Sequence, residues 1–513
     1  MPKEGAMRKR CYAFALAIPL ATIGLHAQSP SPPSDSVVER SIPALQEAMT
    51  SGGVTSVQLV EAYLARIRAY DKAGPAINAF IALNPRALET AAALDAERRA
   101  KGPRGILHGI PIVVKDNYAT EELPTTGGTQ ALAGFETHRD AFVVKKLRDA
   151  GAIIIGKANL HELAYGITTI SSQGGQTKNP YDLTRNPGGS SGGTGAAVTA
   201  SFAAAGLGTD TCGSVRIPSA HNNLFGLRGT LGLSSRDGII PLSLTQDIGG
   251  PLARTVTDLA IMLDATVGFD AADPMTRSSR GHIPRTYLGA IGDRDIGDVR
   301  IGMLTSLFGS TPEDAEVGTV VRASLQALRH LGADVVEVAI PGLEEMLQGT
   351  SVINNEFKAD LKTFLDQFPN APVHSLGDIV SSGRYDPAVD GVLKRANAME
   401  ARASPAYQAA LDKRESVRQA VVAAMGQHGL SALAYPTLRR KPAPIGQAQG
   451  GSNCQLSATT GLPAMAIPAG FTTDGLPVGL ELLGTSFSES MLLKVAYAYE
   501  QVMNPRRPPK STP

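Results

Sequence analysis

Cysteine is scarce in this chain, neither sign of charge is in excess, and long apolar runs are confined to one end. Only three cysteines occur, Cys11, Cys212 and Cys454. A chain of this size does not depend on disulfides for a core, and Cys212 and Cys454 are expected to be free, buried thiols. Lys and Arg together number 48 and Asp and Glu 47, a formal net charge of +1. That balance gives no electrostatic basis for binding nucleic acid or an anionic membrane. Beyond the N-terminal segment, no stretch reaches the roughly 18 consecutive apolar residues of a membrane-spanning helix, so the mature protein is expected to be soluble. No repeat of solenoid period is visible.

What is present indicates a large folded enzyme-sized chain. Its 513 residues are 43% hydrophobic and 19% charged, the composition of a globular protein with ample length for a core. Met7-Arg8-Lys9-Arg10 is a basic cluster, followed by the apolar stretch Cys11 to Leu25 and then Leu25-His26-Ala27. This pattern reads as a secretory signal peptide over residues 1–27, with export to the periplasm or medium; an uncleaved anchor is the alternative. Residues 28–39 begin with QSPSPPSDS and read as a Pro/Ser-rich linker, leaving one domain over residues 40–508.

Within that domain the pattern alternates between helices and strands. Thr55 and Gln58 form a capping box ahead of a helix whose apolar face is Val57, Val60, Leu64 and Ile67. Ile110 to Val114 is a short buried strand that delivers Lys115, and Ala152 to Gly156 is another, rich in β-branched residues. Ala203 to Gly208, Asp293 to Met303, Gly332 to Ile340, Leu433 to Pro436, Ala464 to Pro468 and Val478 to Leu483 read as further strands. Asp474-Gly475 supplies a hairpin turn between the last two. Residues of about 346–423 read as a helical insertion covering one side. The alternation predicts an α/β fold: a large mixed β-sheet covered by helices on both faces, in a single domain.

Three segments carry candidate chemistry. Ser214 lies in GTDTCGSVRIP (Gly208 to Pro218), Ser190 in NPGGSSGGTG (Asn186 to Gly195), and Lys115 in HGIPIVVKDN (His108 to Asn117). A serine hydroxyl is a weak nucleophile and needs a base. None of His108, His138, His161 and His221 has an acidic partner by spacing, and all four read as structural. His161-Glu162 resembles half of a zinc motif but lacks the second histidine, so no metal or other cofactor is expected. Gly188 to Gly192 matches G-x-S-x-G, yet Pro180 and Pro187 argue against the strand that such a nucleophile elbow requires.

Taken together, these segments resemble the amidase signature family of serine amidohydrolases. The resemblance extends from the first helices to Gly479 and rests on LHGIPIVVKD, GGSSGGTGAAV and GTDTCGSVRIP, with QDIGGPLAR (Gln246 to Arg254) and GLPAMAIPAGF (Gly461 to Phe471) as later signatures. It implies that Ser214 is the nucleophile, that Ser190 is a bridging serine in a cis peptide, and that Lys115 is the base. Burial would have to lower the pKa of Lys115 for it to serve near neutral pH. Backbone N–H groups from Thr211 through Cys212 and Gly213 to Ser214 would form an oxyanion hole, with Ser191 beside them. Asp210 and Arg216 would brace the loop. Cys212 departs from the family's Gly-Gly before the nucleophile, a change that could reshape the acyl pocket or exclude a positive φ. The expected reaction is hydrolysis of a carboxamide to acid and ammonia. The segments Gly174 to Pro180 and Ser235 to Asp247 are most similar to peptide amidases, which remove C-terminal amide nitrogen; the expected substrate is a small-molecule or peptide amide. Alternatives are an esterase, aryl-amidase or carbamate hydrolase on the same fold, and the transamidating component of a tRNA-dependent complex. The oligomeric state is not read from the sequence.

Overall fold

The computed structural model describes residues 1–2, 37–400, 402 and 404–513. The expected signal peptide and most of the expected linker lie outside the described residues. The linker does not reach residue 39: Val37 is fully buried in the main core, and Glu39 pairs with Arg506 at 2.7 Å. At the other end Arg66 binds the carbonyl of Thr512, so the packed domain continues past residue 508.

Thirteen strands are present among the described residues: β1 (Phe80–Leu83), β2 (Pro111–Lys115), β3 (Ile153–Ala158), β4 (Ile170–Ser171), β5 (Gly175–Gln176), β6 (Ala205–Asp210), β7 (Phe225–Arg228), β8 (Ile248–Ala253), β9 (Arg300–Leu304), β10 (Asp334–Val338), β11 (Ala432–Pro436), β12 (Ala464–Phe471) and β13 (Pro477–Gly484). Eleven of them form one sheet in the order β1-β3-β2-β6-β8-β7-β12-β13-β11-β9-β10. The sheet is mixed: β3, β2 and β6 run parallel, as do β11, β9 and β10, and the strands between are antiparallel.

Helices cover both faces of this sheet. Gly479 of β13 faces Ala220 of the helix Arg216–His221, whereas Gly484 faces Ser488 at the start of the helix Glu489–Met503. The two glycines are an odd number of residues apart on one strand, so they point to opposite faces. The helix Pro312–His330 lies on the second face, where Ser324 meets Tyr499.

Two central strands, β7 and β8, were not legible in the sequence pattern. Pro251 sits inside β8, where proline normally argues against a central strand. It is tolerated because β8 pairs with β6 along its whole length, while its pairing with β7 covers only Ala253 and Leu252. Pro251 therefore has no ladder partner on the β7 side.

The helical stretch builds a second apolar cluster. Phe357, Leu361, Phe364, Ile379 and Leu393 pack with Phe135, Leu163, Ile240 and Leu242, apart from the main core. The long helix Pro405–Gln427 instead returns to the main core through Val417, Val421 and Met425.

Close backbone approach fixes glycine at the start of the helix Gly192–Thr199 that follows Ser190. A Cβ at Gly193 would lie 2.2 Å from the Asn159 carbonyl oxygen and 2.7 Å from that of Ala79. Gly105, by contrast, faces open space. Gly193→Ala should therefore destabilise the protein by about 1–3 kcal/mol in urea unfolding, through overpacking against rigid backbone. Gly105→Ala should stay within about 0.5 kcal/mol. Equal midpoints for the two variants would contradict this packing.

Candidate active site

Lys115 is the last residue of β2, a strand whose five residues are all buried, PIVVK. Successive side chains of a strand point to opposite sides, so Lys115 and Asp116 part company. Asp116 is committed elsewhere: it pairs with Lys157 at 3.3 Å and accepts from the N–H of Thr126. Lys115 is left fully buried with no carboxylate in contact. Its Nζ lies 2.8 Å from Ser190 Oγ and 2.6 Å from Thr209 Oγ1. Burial pulls its pKa down from the usual 10.5 to about 7, against the more distant carboxylates of Asp247 and Asp210, which favour the charged form. The amine is thus close to half neutral at physiological pH.

Thr209 also accepts a hydrogen bond from Asn117 Nδ2 at 3.0 Å. Thr209 Oγ1 thus accepts from both Lys115 Nζ and Asn117 Nδ2. Thr209 and Asn117 were not singled out in the sequence, although each lies within a segment quoted for its neighbours.

The Gly189–Ser190 peptide bond is cis. The Ser190 carbonyl accepts from the His161 N–H at 3.0 Å, and Thr169 Oγ1 donates to the Gly188 carbonyl at 2.7 Å. The segment from His161 to Thr169 therefore forms a wall beside Ser190. His161 is buried near Lys115, and first burial and then the lysine charge lower its pKa to about 4. It remains neutral and is not paired with an acid.

Ser214 follows β6 on a tight turn and is 4% exposed. The turn is held through its carbonyl oxygens. Gln246 Nε2 donates to Thr211 O at 3.0 Å, Arg216 donates to Cys212 O, the Ile217 N–H donates to Gly213 O at 2.7 Å, and the Ser191 N–H donates to Ser214 O at 3.2 Å. Among the described residues no protein acceptor takes the N–H groups of Thr211, Cys212, Gly213 or Ser214. A row of backbone donors left free at a buried turn is suited to receive an oxyanion. The link between Ser214 and Ser190 runs through the Ser191 N–H; their two hydroxyls make no direct hydrogen bond here. Such bonds often tighten only when substrate is bound.

Asp210 and Arg216 brace this turn from below. Arg216 contacts Asp210 at 3.1 Å and also pairs with Glu481 on β13, and Arg228 contacts Asp210 at 2.9 Å; all four side chains are fully buried. Burial alone would raise the Asp210 pKa, but the two guanidiniums hold it down at about 2. A second brace comes from Asp247, whose carboxylate accepts from Thr211 Oγ1 at 2.6 Å.

The expectation of free thiols is corrected here: Cys212 and Cys454 form a disulfide. Their sequence separation of 242 residues hid the pairing, which only the folded chain brings about. The concern over φ at position 212 is also removed, since Cys212 is not among the residues with positive φ. A cavity of about 340 Å³ lies beside Cys454, lined in part by Leu307, Arg439, Asn453 and Gln455. The helical stretch reaches the site from another side. Tyr165 bonds Asn354 and stacks edge-on against Phe357, and the Val352 N–H donates to the same Gln246 that holds Thr211.

The family model described as Amidase matches residues 58–493. The chain is similar to the native peptide amidase of Stenotrophomonas maltophilia, with 39% identity and a TM-score of 0.85, covering 93% of this chain and 99% of that one. It is 33% identical to a probable amidase of Arabidopsis thaliana over 93% of this chain and 92% of the relative. It is also 35% identical to a glutamyl-tRNA(Gln) amidotransferase subunit of Halorhodospira halophila, over 90% of this chain and 97% of that protein.

The buried amine has a consequence for stability. Between about pH 7, its folded pKa, and 10.5, the usual value, the unfolded chain binds more protons at this site than the folded one. Native stability contributed by this group therefore rises with pH across that window, and the burial penalty is largest below it. Lys115→Met removes the penalty. Its melting temperature relative to wild type should be most favourable at about pH 6 and become less so by about pH 9. A difference that does not change with pH would show that the amine is not desolvated.

Proposed function

Because the chain belongs to the amidase family and is an amide hydrolase, we propose that Ser214 is its nucleophile, Ser190 its proton relay and Lys115 its base. The observation that carries the reading is the fully buried Lys115 amine, 2.8 Å from Ser190 Oγ and without a contacting counter-ion. In the neutral form its lone pair accepts the Ser190 proton while Ser190 takes the proton of Ser214. Ser214 Oγ attacks the amide carbon, and the oxygen that becomes negative is received by the free N–H groups of the Thr211–Ser214 turn. The ammonium of Lys115 then returns its proton through Ser190 to the departing nitrogen, which leaves as ammonia. Water repeats the sequence on the acyl-enzyme and releases the carboxylic acid. Thr209 keeps the lysine lone pair on Ser190.

The substrate we favour is the terminal carboxamide of a peptide. The support is the likeness to the Stenotrophomonas maltophilia peptide amidase and to a peptide amidase described in complex with the competitive inhibitor chymostatin. We further assign the enzyme to an exported state. The basic and apolar N-terminal pattern supports this, as does the Cys212–Cys454 bond, since such bonds persist in oxidising compartments. N-terminal sequencing of the protein recovered from the cell envelope or medium should begin at Gln28; recovery of the unprocessed chain from cytosol would overturn the export reading.

Ammonia release from a panel of peptide amides, set against aniline release from anilides and alcohol release from esters, tests the substrate. Peptide amides should be turned over with the highest kcat/KM. Ser214→Ala should reduce kcat/KM by about 10⁴-fold or more. The kcat/KM profile should fall on the acid side with an apparent pKa near 7, because the protonated amine cannot accept a proton. An acid limb set near pH 4, the ordinary carboxylate range, would point to a different base.

A further inference from the structure

Cys212 is two residues before Ser214, within the turn whose free N–H groups are assigned above to the oxyanion. Its partner Cys454 immediately precedes the helix Gln455–Thr460, and their Cα atoms are 5.1 Å apart. We propose that this disulfide is a positioning element for acyl transfer: it holds the oxyanion turn in register against the Cys454 loop. The proposal rests on the assignment of Ser214 as nucleophile.

Three observations place the bond in this role rather than in that of a general staple. The first is how the turn is otherwise held. Of its four carbonyl bonds, that of Gly213 runs to Ile217 in the helix the turn itself begins, and so ties it to nothing beyond. The remaining ties, from Gln246, Arg216 and Ser191, grip the carbonyl side of Thr211, Cys212 and Ser214. A hydrogen bond restrains a peptide plane only softly, and the N–H side has to stay free for substrate. The disulfide is the one covalent restraint on the turn besides the chain.

The second observation is contact. A Cβ at Gly213 would lie 2.6 Å from the Cβ of Cys454. The half-cystine is therefore seated directly against the residue before the nucleophile, and movement of the Cys454 loop passes straight to Gly213. The third is the clasp of Arg216, whose terminal nitrogen donates both to Cys212 O and to Cys454 O, the latter at 3.3 Å. One guanidinium thus binds the two backbones that the sulfur bridge joins, and Asp210 and Glu481 anchor that guanidinium to the sheet. Both half-cystines are partly exposed, so a small reductant can reach them.

A bond closing a long loop stabilises a fold wherever it lies. A positioning role predicts something different: a loss of rate in protein that is still folded. Oxyanion donors are sensitive to placement, since losing one costs about 10²–10³ in kcat. A turn that keeps its donors but loses its register should lose less, about tenfold.

The test compares oxidised protein, protein reduced by a water-soluble phosphine, and the Cys454→Ala variant. In the reduction each disulfide takes up the elements of one water: the sulfurs gain two hydrogens as thiols, and the oxygen passes to the phosphine as phosphine oxide. Success is verified by two additional thiols reactive toward a colorimetric disulfide reagent. Kinetics are measured below the melting transition of each form, alongside circular dichroism. The expected result is a fall in kcat of about tenfold with KM changed less than twofold. A parallel fall is expected in the rate at which a fluorophosphonate labels Ser214, and reoxidation of the reduced protein by glutathione disulfide should restore kcat. Unchanged kcat in folded, reduced protein would overturn the proposal. So would activity that disappears only together with the folded dichroism signal, which would make the bond a staple of the whole fold. Failure of the oxidised protein to be labelled at Ser214 would be a separate outcome, overturning the nucleophile assignment and this proposal with it.

Discussion

The site depends on keeping one amine out of water without giving it a carboxylate. Lys115 ends a wholly buried strand in the sheet, and its neighbour Asp116, the obvious counter-ion, is turned away and neutralised by Lys157. Had the chain allowed Asp116 to reach Lys115, the ammonium would be locked in and useless as a base. Desolvation instead favours the neutral amine, and the distant carboxylates of Asp210 and Asp247 set a limit on how far its pKa falls. A fully buried cation would ordinarily be selected against for stability, so its presence here marks a functional compromise.

The rest of the site is built to make that amine useful. Charges near Lys115 have to be accounted for without pairing with it, and the structure does so by closing them on one another. Asp210 is held between Arg216 and Arg228, and Glu481 of β13 completes the set. The same group of ions carries the turn of Ser214, so charge neutralisation and placement of the proposed nucleophile are performed by the same side chains. Gln246 extends this to the helical stretch, because it bonds Thr211 on one side and Val352 and Arg414 on the other. The helical cover and the oxyanion turn are thereby connected through a single amide.

Much of this geometry was legible in the sequence because the proposed reacting groups sit in short, distinctive runs. The strand that delivers Lys115 is a continuous apolar run, and the turns around Ser190 and Ser214 are marked by glycine. Asp210 and Arg216 could be read as braces because they flank the nucleophile within a few residues. The elements that escaped share a different origin. β8 carries Gly249, Gly250 and Pro251 and does not read as a strand, since its acceptance of proline depends on how little of it β7 covers. Glu481 and Cys454 reach the site from more than two hundred residues away, and only the sheet order, with β12 beside β7 and β13 beside β12, brings them there. Cys212 and Cys454 looked like unrelated thiols for that reason. Thr209 and Asn117 were within sight but gave no signal, because a strand threonine and a loop asparagine are common without any role.

The central claim is that the Lys115 amine is uncharged for a large part of the time at neutral pH. Titration of that side chain by NMR, with ¹³C at the Cε position and the resonance assigned by comparison with Lys115→Met, measures this directly. The account predicts a midpoint near pH 7. A midpoint near 10.5, the ordinary value for lysine, would mean that the amine is charged when the enzyme works and that another group takes the proton from Ser190.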